Sequence, residues 1–356
     1  MMNAVSRVKS KGKGKAAELG PGSDPQILYK NYVKECSVIG IAPFGPLKNA
    51  LTNEDNPNRG QQIMLLELQT ESGSTLGPNG CRALINAMIG RVPFTAVRDI
   101  RICSKIEDGG ATAVAALLSA TAKQIVVDPN VSDLSTEPPE WHLEYLELIN
   151  NDIGRVGAMA LGRSLCVGMN RTLATLVLDF NKTLGSEGLE ALCKGLKTNA
   201  TLKKLSVKYC SIDKNGGKSI ADLLRFKKTS LLFLDVSNNQ LGALGLLDMC
   251  DGLGENKSLK TLRLAENAIG QTDDDLKALG RFADALMKNK SIISVDILYN
   301  NIGNSGGTVL LPAISANTRI TEFKVDPRMD NALFQALFRV SMSSEKKSGG
   351  KTVNPK

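Results

Sequence analysis

One pattern decides the fold of this chain, and its four clearest copies are LEYLELINN at 143–151, LATLVLDFN at 173–181, LLFLDVSNN at 231–239 and LKTLRLAEN at 259–267. Three of them match LxxLxLxxN, the copy at 231–239 has Val236 in place of the third Leu, and looser copies begin at residues 63, 97, 202, 292 and 320. Five of the eight intervals between successive starts are 28 to 30 residues long. A period that persists over most of a chain is typical of a solenoid, in which each copy forms one coil.

Each copy predicts a strand followed by a helix. The fourth and sixth residues of LxxLxLxxN lie two apart, so in a strand both side chains point to the same, buried side. After the motif, apolar residues recur every three to four positions, as in residues 158–165, which is the spacing of a one-sided helix. Stacked units of this kind bury their apolar faces only against each other. The sequence therefore predicts an α/β fold, a right-handed horseshoe solenoid with parallel strands on the concave face and helices on the convex face.

Asparagine occupies two fixed places in the repeat. At the ninth motif position we expect its amide to bond backbone groups of neighbouring coils, with Cys210 as one replacement. The residues at this position are Asn151, Asn181, Asn239, Asn267 and Asn300. A second set is predicted to end the helices in the left-handed conformation that Asn tolerates. Its members are Asn170, Asn199, Asn256, Asn289 and Asn317.

From about residue 60 to residue 330, this pattern resembles the ribonuclease-inhibitor class of leucine-rich repeats. Ran GTPase-activating protein and the recognition domains of NOD-like receptors share that class. The motifs specify the fold well and the function poorly. The resemblance implies a protein that works by holding another macromolecule.

The sequence outside the clear copies predicts how the chain is organised. Both ends are rich in Lys, and the segment after Asp24-Pro25 has helical spacing that suits a cap on the first coil. The predicted organisation is a disordered basic tail at 1–22, a helical cap at 23–60, about nine repeats at 61–330 with an insertion at 121–142, a closing helix at 331–342 and a second disordered basic tail at 343–356.

Charge and cysteine content narrow the function classes. The formal net charge of +8 divides into +4 for residues 1–20, +3 for residues 343–356 and +1 for everything between. We expect the tails to bind an acidic surface, unless they are only solubilising ends. The seven cysteines form no CxxC pair, which argues against a zinc site or a disulfide framework and for a reducing compartment. No apolar run is long enough to cross a membrane.

Three features that could carry chemistry are better explained by structure. His142 is the one histidine and has no nucleophile motif beside it. Residues 216–219, GGKS, resemble the end of a phosphate-binding loop but lack its first glycine, because position 212 is Ile. Residues 273–275, three aspartates, lack the spacing of a calcium loop and suit a helix start. We therefore expect no enzyme activity, no cofactor and no metal.

The strands are predicted to carry the binding surface. Motif positions two, three, five, seven and eight should point away from the core or lie along its rim. Five of the fifteen aromatic residues fall there, together with charges of both signs. This mixture favours a protein partner and makes nucleic acid an unsuitable ligand. The predicted site residues are Tyr145, Glu147, Phe180, Lys208, Tyr209, Phe233, Asp235, Arg263, Asp296 and Tyr299.

The leading functional interpretation is a non-catalytic scaffold or adaptor in a cytoplasmic assembly, with the cytoskeleton or the cilium as one setting. It would hold a protein on the concave face, while the basic tails contact an acidic surface such as the tails of tubulin. The alternative is a GTPase-activating protein resembling the Ran activator, although that protein has a long acidic C-terminal region and this chain ends in a short basic one.

Overall fold

The computed structural model describes residues 22–52, 65–71, 73–120 and 141–340. In these ranges, nine strands pair side by side in parallel and in chain order. The strands are β1 Leu65–Gln69, β2 Asp99–Cys103, β3 Tyr145–Leu148, β4 Thr175–Val177, β5 Lys204–Ser206, β6 Phe233–Asp235, β7 Thr261–Arg263, β8 Ser294–Asp296 and β9 Glu322–Lys324.

Eleven helices accompany the strands in the same described ranges. From β1 onward, one helix follows each strand, so every coil is a strand–helix unit. The helices are α1 Pro25–Ile39, α2 Gly45–Thr52, α3 Gly77–Ile89, α4 Glu107–Ala120, α5 Arg155–Ser164, α6 Gly185–Leu196, α7 Gly216–Leu224, α8 Gly242–Glu255, α9 Asp273–Lys288, α10 Gly303–Ala316 and α11 Asn331–Leu337. The predicted α/β solenoid is confirmed.

The core is a column of aliphatic side chains, one layer per coil. The central residue of each strand is in register with that of the next, as Leu176 is with Leu205 and Leu205 with Leu234. These three side chains are at most 1% exposed. Burying a leucine contributes about 1.5–3 kcal/mol, so each coil is stabilised mainly by the leucines it stacks on its neighbours.

The asparagines at the ninth motif position bridge adjacent coils, as predicted. Asn239 donates from Nδ2 to the carbonyl oxygen of Val207 at 2.9 Å. Its Oδ1 accepts from the backbone N–H groups of Cys210 and Ile212, both at 3.0 Å. The side chain thus satisfies backbone groups that the stack would otherwise bury without partners. Cys210 takes the corresponding place one coil earlier and donates from Sγ to the carbonyl oxygen of Leu178 at 3.1 Å.

The copy that begins at residue 97 departs from the motif by one residue. In three other coils, the backbone N–H of the ninth motif residue donates to the asparagine of the next coil. Here the N–H of Ser104, the eighth residue, donates to Oδ1 of Asn151 instead, although counting from residue 97 makes Lys105 the ninth. The Ser104 hydroxyl accepts from the N–H of Leu76 at 2.8 Å. A serine therefore replaces the asparagine in this coil, and the turn after β2 is one residue shorter.

Of the second set of asparagines, Asn256, Asn289 and Asn317 end helices, whereas Asn170 and Asn199 lie beyond the caps Leu165 and Lys197. The predicted left-handed conformation is wrong for the whole set. Asn256 follows α8 with φ −67° and ψ 137°, which is extended. Its Oδ1 accepts from the N–H of Leu259 at 2.7 Å, and its Nδ2 donates to the carbonyl oxygen of Leu224 in the preceding coil at 2.9 Å. The side chain closes the helix end, so the backbone has no need of a left-handed residue.

The outer helices approach closely at glycines. A Cβ added at Gly195 in α6 would lie 1.9 Å from the carbonyl oxygen of Gly162 in α5. A Cβ at Gly217 in α7 would lie 2.1 Å from the carbonyl oxygen of Gly245 in α8. Only glycine fits where two helix backbones touch in this way. No helix of the described residues has the length and apolar character needed to cross a membrane.

Both ends of the column are covered. Asp24 caps α1 ahead of Pro25, and Tyr32 of α1 is fully buried, with its hydroxyl accepting from the N–H of Phe44 at 3.0 Å. At the other end, the backbones of Phe323 and Arg339 exchange two hydrogen bonds beside α11. Residues 1–21 and 343–356 of the predicted tails, residues 53–60 of the predicted cap and residues 121–140 of the predicted insertion lie outside the described residues.

Candidate functional site

Two rows of side chains stand on the solvent side of the sheet, and we call them the strand face. The register aligns the first row as Tyr145, Thr175, Lys204, Phe233, Thr261, Ser294 and Glu322. The second row is Glu147, Val177, Ser206, Asp235, Arg263, Asp296 and Lys324. The turns that leave the strands add Phe180, Lys208, Tyr209 and Tyr299 at the rim. The ten predicted site residues thus fall on this face or its rim.

An aromatic pair lies at the rim between β4 and β5. The rings of Phe180 and Tyr209 are stacked, with centroids 4.6 Å apart and planes inclined by 12°. The two side chains remain 42% and 39% exposed. Tyr299, further along the same rim, is 68% exposed. Sequence reasoning placed these three residues on one surface but did not foresee the stacking.

The backbone at these aromatic residues is unusual. Phe180, Tyr209 and Tyr299 have φ values of 62°, 52° and 57°, which is the left-handed region. Asn150 and Asn238 adopt the same conformation at the same motif position, so the turn itself demands it. Asn tolerates this conformation far better than a bulky residue does. Aromatic residues are therefore the costlier choice at a position where asparagine suffices.

Phe233 lies between two cations on the strand face. Nζ of Lys204 is 4.9 Å from the centre of its ring, and Cζ of Arg263 is 5.0 Å from it. A guanidinium or ammonium over an aromatic face is attracted by the ring's negative centre. The contacts fix the two long side chains against the sheet and leave their charged groups at the surface.

Two of the predicted acidic residues have structural roles. Asp235 is 2% exposed, so its assignment to an exposed binding surface is wrong. Its carboxylate accepts from the N–H of Ser237 at 3.0 Å and lies 3.6 Å from Arg263. Asp296 is half-buried and accepts from the N–H of Leu298 at 3.1 Å. A carboxylate that bonds the backbone two residues ahead shapes the turn, which the motif alone did not reveal.

A further polar cluster occupies the first coils. The Tyr145 hydroxyl donates to the carboxylate of Glu147. The pKa of Tyr145 is raised to about 12, mainly by burial and, to a smaller extent, by this hydrogen bond. Cζ of Arg101 lies 5.1 Å from the centre of the Tyr145 ring. Nε of Arg101 is buried and has no hydrogen-bond partner among the described residues. At the rim, Lys208 lies 3.3 Å from Asp179.

The features set aside as structural have structural surroundings. Gly216 begins α7, and Asp273 begins α9, where Thr272 and Asp275 form a capping box. His142 is half-buried beside the strand β3. In the described part of the chain, no group of three or more His, Cys, Asp or Glu side chains is arranged to hold a metal.

The cysteines are free thiols in the described residues, and five of the seven are buried. Burial raises the pKa of the Cys81 and Cys193 thiols to about 12. A buried thiol with a raised pKa is a poor nucleophile. These side chains therefore serve the core.

The repeats match a family of known proteins. The family model described as "Leucine Rich repeat" matches residues 142–162, 170–193, 198–221 and 227–250. Each matched segment contains one strand of the sheet and part or all of the helix that follows it.

Curated relatives carry the same repeat. Ribonuclease inhibitor of Mus musculus is 33% identical over 162 residues, 44% of this chain and 34% of the relative. NACHT, LRR and PYD domains-containing protein 4C of Mus musculus is 31% identical over 210 residues, 55% of this chain and 20% of the relative. Centrosomal protein of 78 kDa of Homo sapiens is 24% identical over 178 residues, 49% of this chain and 24% of the relative.

The chain is therefore a ribonuclease-inhibitor-like leucine-rich-repeat protein. It spans about one third of the mouse ribonuclease inhibitor and less of the other two relatives.

Proposed function

We propose that this protein is a non-catalytic scaffold that holds a protein partner on its strand face. The exposed, stacked pair Phe180–Tyr209 is the observation that carries the proposal. Aromatic side chains of this kind dominate the binding energy of protein interfaces. Both residues of the pair have the strained left-handed backbone that Asn150 and Asn238 adopt more easily in the corresponding turns of other coils. Such strain is common where a side chain serves a function.

The charges around the pair favour a protein over a nucleic acid. Arg263 and Lys324 alternate with Asp296 and Glu322 on the last strands, and Lys204 stands on β5. A phosphate backbone running over this face meets carboxylates as often as cations, whereas protein surfaces offer both signs.

The proposed setting is an intracellular assembly, and we extend it to a cytoskeletal or ciliary one. The free cysteines suit a reducing compartment. The likeness to a centrosomal protein supports the cytoskeletal part. The predicted partner of the basic tails, an acidic surface such as the tails of tubulin, stays part of this proposal. None of the three relatives is described as a GTPase activator, so that activity is not included.

The test uses a photo-reactive phenylalanine analogue in place of Tyr209 or, as control, in place of Val156, which is 54% exposed on α5. In lysate we expect a specific protein to cross-link from position 209 and not from position 156. Identification by mass spectrometry then gives the partner for quantitative binding. If both positions capture the same proteins in equal yield, the strand face is not the binding surface.

Purified partner allows the energetic test. The double variant Phe180→Ala and Tyr209→Ala should weaken binding by about 2 kcal/mol, roughly thirtyfold, as expected for a central aromatic anchor. The matched control removes two exposed side chains from the helix side, Val156→Ala on α5 and Leu244→Ala on α8. Equal affinity of the two double variants would contradict the proposal, provided that both melt at the temperature of the native chain.

A further inference from the structure

One edge of the solenoid is strongly basic. Because the strands are parallel, every segment that leads from a helix back to a strand lies on the same edge, which we call the return edge. Its seven described segments that follow a described helix directly are 90–98, 165–174, 197–203, 225–232, 256–260, 289–293 and 317–321. They hold twelve Lys or Arg residues and no Asp or Glu. The described stretch 141–144, which leads into β3 on the same edge, adds one acidic residue, Glu144. The cations are Arg91, Arg98, Arg171, Lys197, Lys203, Arg225, Lys227, Lys228, Lys257, Lys260, Lys290 and Arg319.

The opposite edge is different. Its described segments, which lead from strand to helix, hold seven acidic residues and five basic ones. The charge of +1 between the tails therefore hides a segregation that only the positions of strands and helices reveal. Eleven of the twelve return-edge cations are exposed. Among the described residues, two of the twelve form ion pairs, Lys197 with Asp222 and Arg225 with Asp222 and Asp251.

Helix dipoles explain only part of this charge. The helices point their carboxyl ends at the return edge, and cations in a last turn are stabilising there. Arg98, Lys203 and Lys260, however, come just before strands, five or more residues beyond the preceding helix. Side chains such as Asn256 already bond helix-terminal carbonyls. The cations next to the strands thus serve no helix end.

These cations form a row with aliphatic residues. Backbone bonds run from the N–H of Leu232 to the carbonyl oxygen of Lys203, from Lys260 to Leu232 and from Ile293 to Lys260, at 2.8 to 2.9 Å. The four residues are therefore neighbours on successive coils, about 4.8 Å apart. Leu232 and Ile293 are 40% and 42% exposed. Over these four coils the row alternates cation and exposed aliphatic, and beyond Lys203 it continues through Ala174 to Glu144.

We propose that the return edge binds an extended acidic segment of a protein partner, in which carboxylates alternate with apolar side chains. The cations attract the carboxylates, and Leu232 and Ile293 receive the apolar groups. Single-stranded nucleic acid fits less well, because it binds by stacking bases on aromatic rings. The aromatic residues of the seven segments are Phe94, which is buried, and Phe226, which is half-buried.

This surface is distinct from the strand face and can be tested separately. A fluorescent peptide of Glu-Leu-Glu-Ser repeats is titrated with the full chain, and binding is followed by anisotropy at several salt concentrations. A Glu-Ser peptide and a single-stranded RNA of the same length serve as comparison ligands. We expect the Glu-Leu-Glu-Ser peptide to bind most tightly. Tighter binding of the RNA overturns the proposal.

Two double variants locate the binding. Lys203→Glu with Lys260→Glu should weaken the peptide complex by about tenfold or more. Lys182→Glu with Lys214→Glu makes the same change of charge at exposed positions of the opposite edge and should have an effect below about twofold. Equal weakening by both would show that net charge alone attracts the peptide, which contradicts the proposal.

A last pair of substitutions tests the role of the aliphatic residues. Leu232→Ser with Ile293→Ser should lower affinity for the Glu-Leu-Glu-Ser peptide to that of the Glu-Ser peptide, and no change overturns the predicted alternation. Phe180→Ala with Tyr209→Ala should leave peptide binding unchanged. A failure of the strand-face proposal is therefore distinguishable from a failure at the return edge.

Discussion

A single asparagine side chain joins two coils of this protein. Asn239 accepts two backbone hydrogen bonds from the coil before it and donates to a carbonyl oxygen of that coil. It is 6% exposed, so water cannot replace these bonds. The side chain therefore contributes to stability through the cost of leaving its partners unsatisfied.

We expect Asn239→Ala to lower the free energy of unfolding by about 3 kcal/mol, because the substitution leaves at least three buried backbone groups without a hydrogen-bond partner. The neighbouring exposed residue is the control, and Gln240→Ala should change stability by less than about 0.5 kcal/mol. Urea unfolding followed by circular dichroism measures both. A similar loss of stability in the two variants would show that the hydrogen bonds of the Asn239 side chain between coils do not stabilise the protein.

At this scale the sequence was informative where a side chain repeats. The leucine positions and the ninth-position asparagines follow from the motif because each coil imposes the same environment on them. Ser104 and Asp235 do not follow from it. The first depends on a one-residue shortening of a turn, and the second on a carboxylate that bonds its own backbone, and both are decided by local geometry.

Helices of adjacent coils meet at glycines. Gly195 of α6 touches Gly162 of α5, so any side chain at this position forces two helix backbones apart. By contrast, Gly280 of α9 has space, because the nearest atom to an added Cβ is a methyl of Val309 at 3.9 Å. The two glycines are in the same kind of element but in opposite surroundings.

Gly195→Ala should therefore destabilise the protein by about 2–3 kcal/mol, the usual cost of overfilling a packed contact. Gly280→Ala should stabilise it by about 0.5–1 kcal/mol, because alanine restricts the unfolded chain and favours the helix. Thermal melts of the two variants against the native chain test the pair. Shifts of the same sign would contradict the assignment of the close approach.

Elements were predictable in kind, while their ends were less so. The repeated apolar spacing predicts a strand and a helix in each coil, because these elements bury their apolar side chains against the coils on both sides. The conformation at helix ends was misjudged, since Asn256 closes α8 with its side chain while its own backbone stays extended. Composition alone does not distinguish the two ways in which asparagine can end a helix.

The whole molecule is a one-dimensional stack. Helices pack mainly on the helices of adjacent coils, and strands pair only with adjacent strands. In such an array, stability is the sum of local terms, and damage at one end stays near that end. Tyr32 and Leu337 are fully buried in the first and last helices and give access to the two ends.

We expect Tyr32→Ala to speed amide hydrogen exchange in α1, α2, β1 and β2 and to leave β8 and β9 unchanged. Leu337→Ala should do the reverse, which makes each variant the control of the other. Exchange followed by mass spectrometry resolves the two ends. Faster exchange in every coil of either variant would show that the solenoid unfolds as one unit.

The charge pattern belongs to this scale as well. Adding up the charges between the tails gives almost no net charge, because acidic residues of the helices, the strands, the opposite edge and the sequence 121–144 together offset the twelve cations. Only the order of elements assigns each lysine to an edge. The site on the strands was accessible to sequence reasoning through motif position, whereas the edge required the helix and strand bounds.

The glycine contacts also bear on how sharply the protein curves. Strands repeat about every 4.8 Å, and packed helices usually about every 8–10 Å, so the mismatch bends a leucine-rich-repeat array around its sheet. Where Gly162, Gly195, Gly217 and Gly245 let helix backbones touch, the outer arc shortens. We expect the array to flatten there, which opens its inner side to a broad, level surface rather than a rounded one.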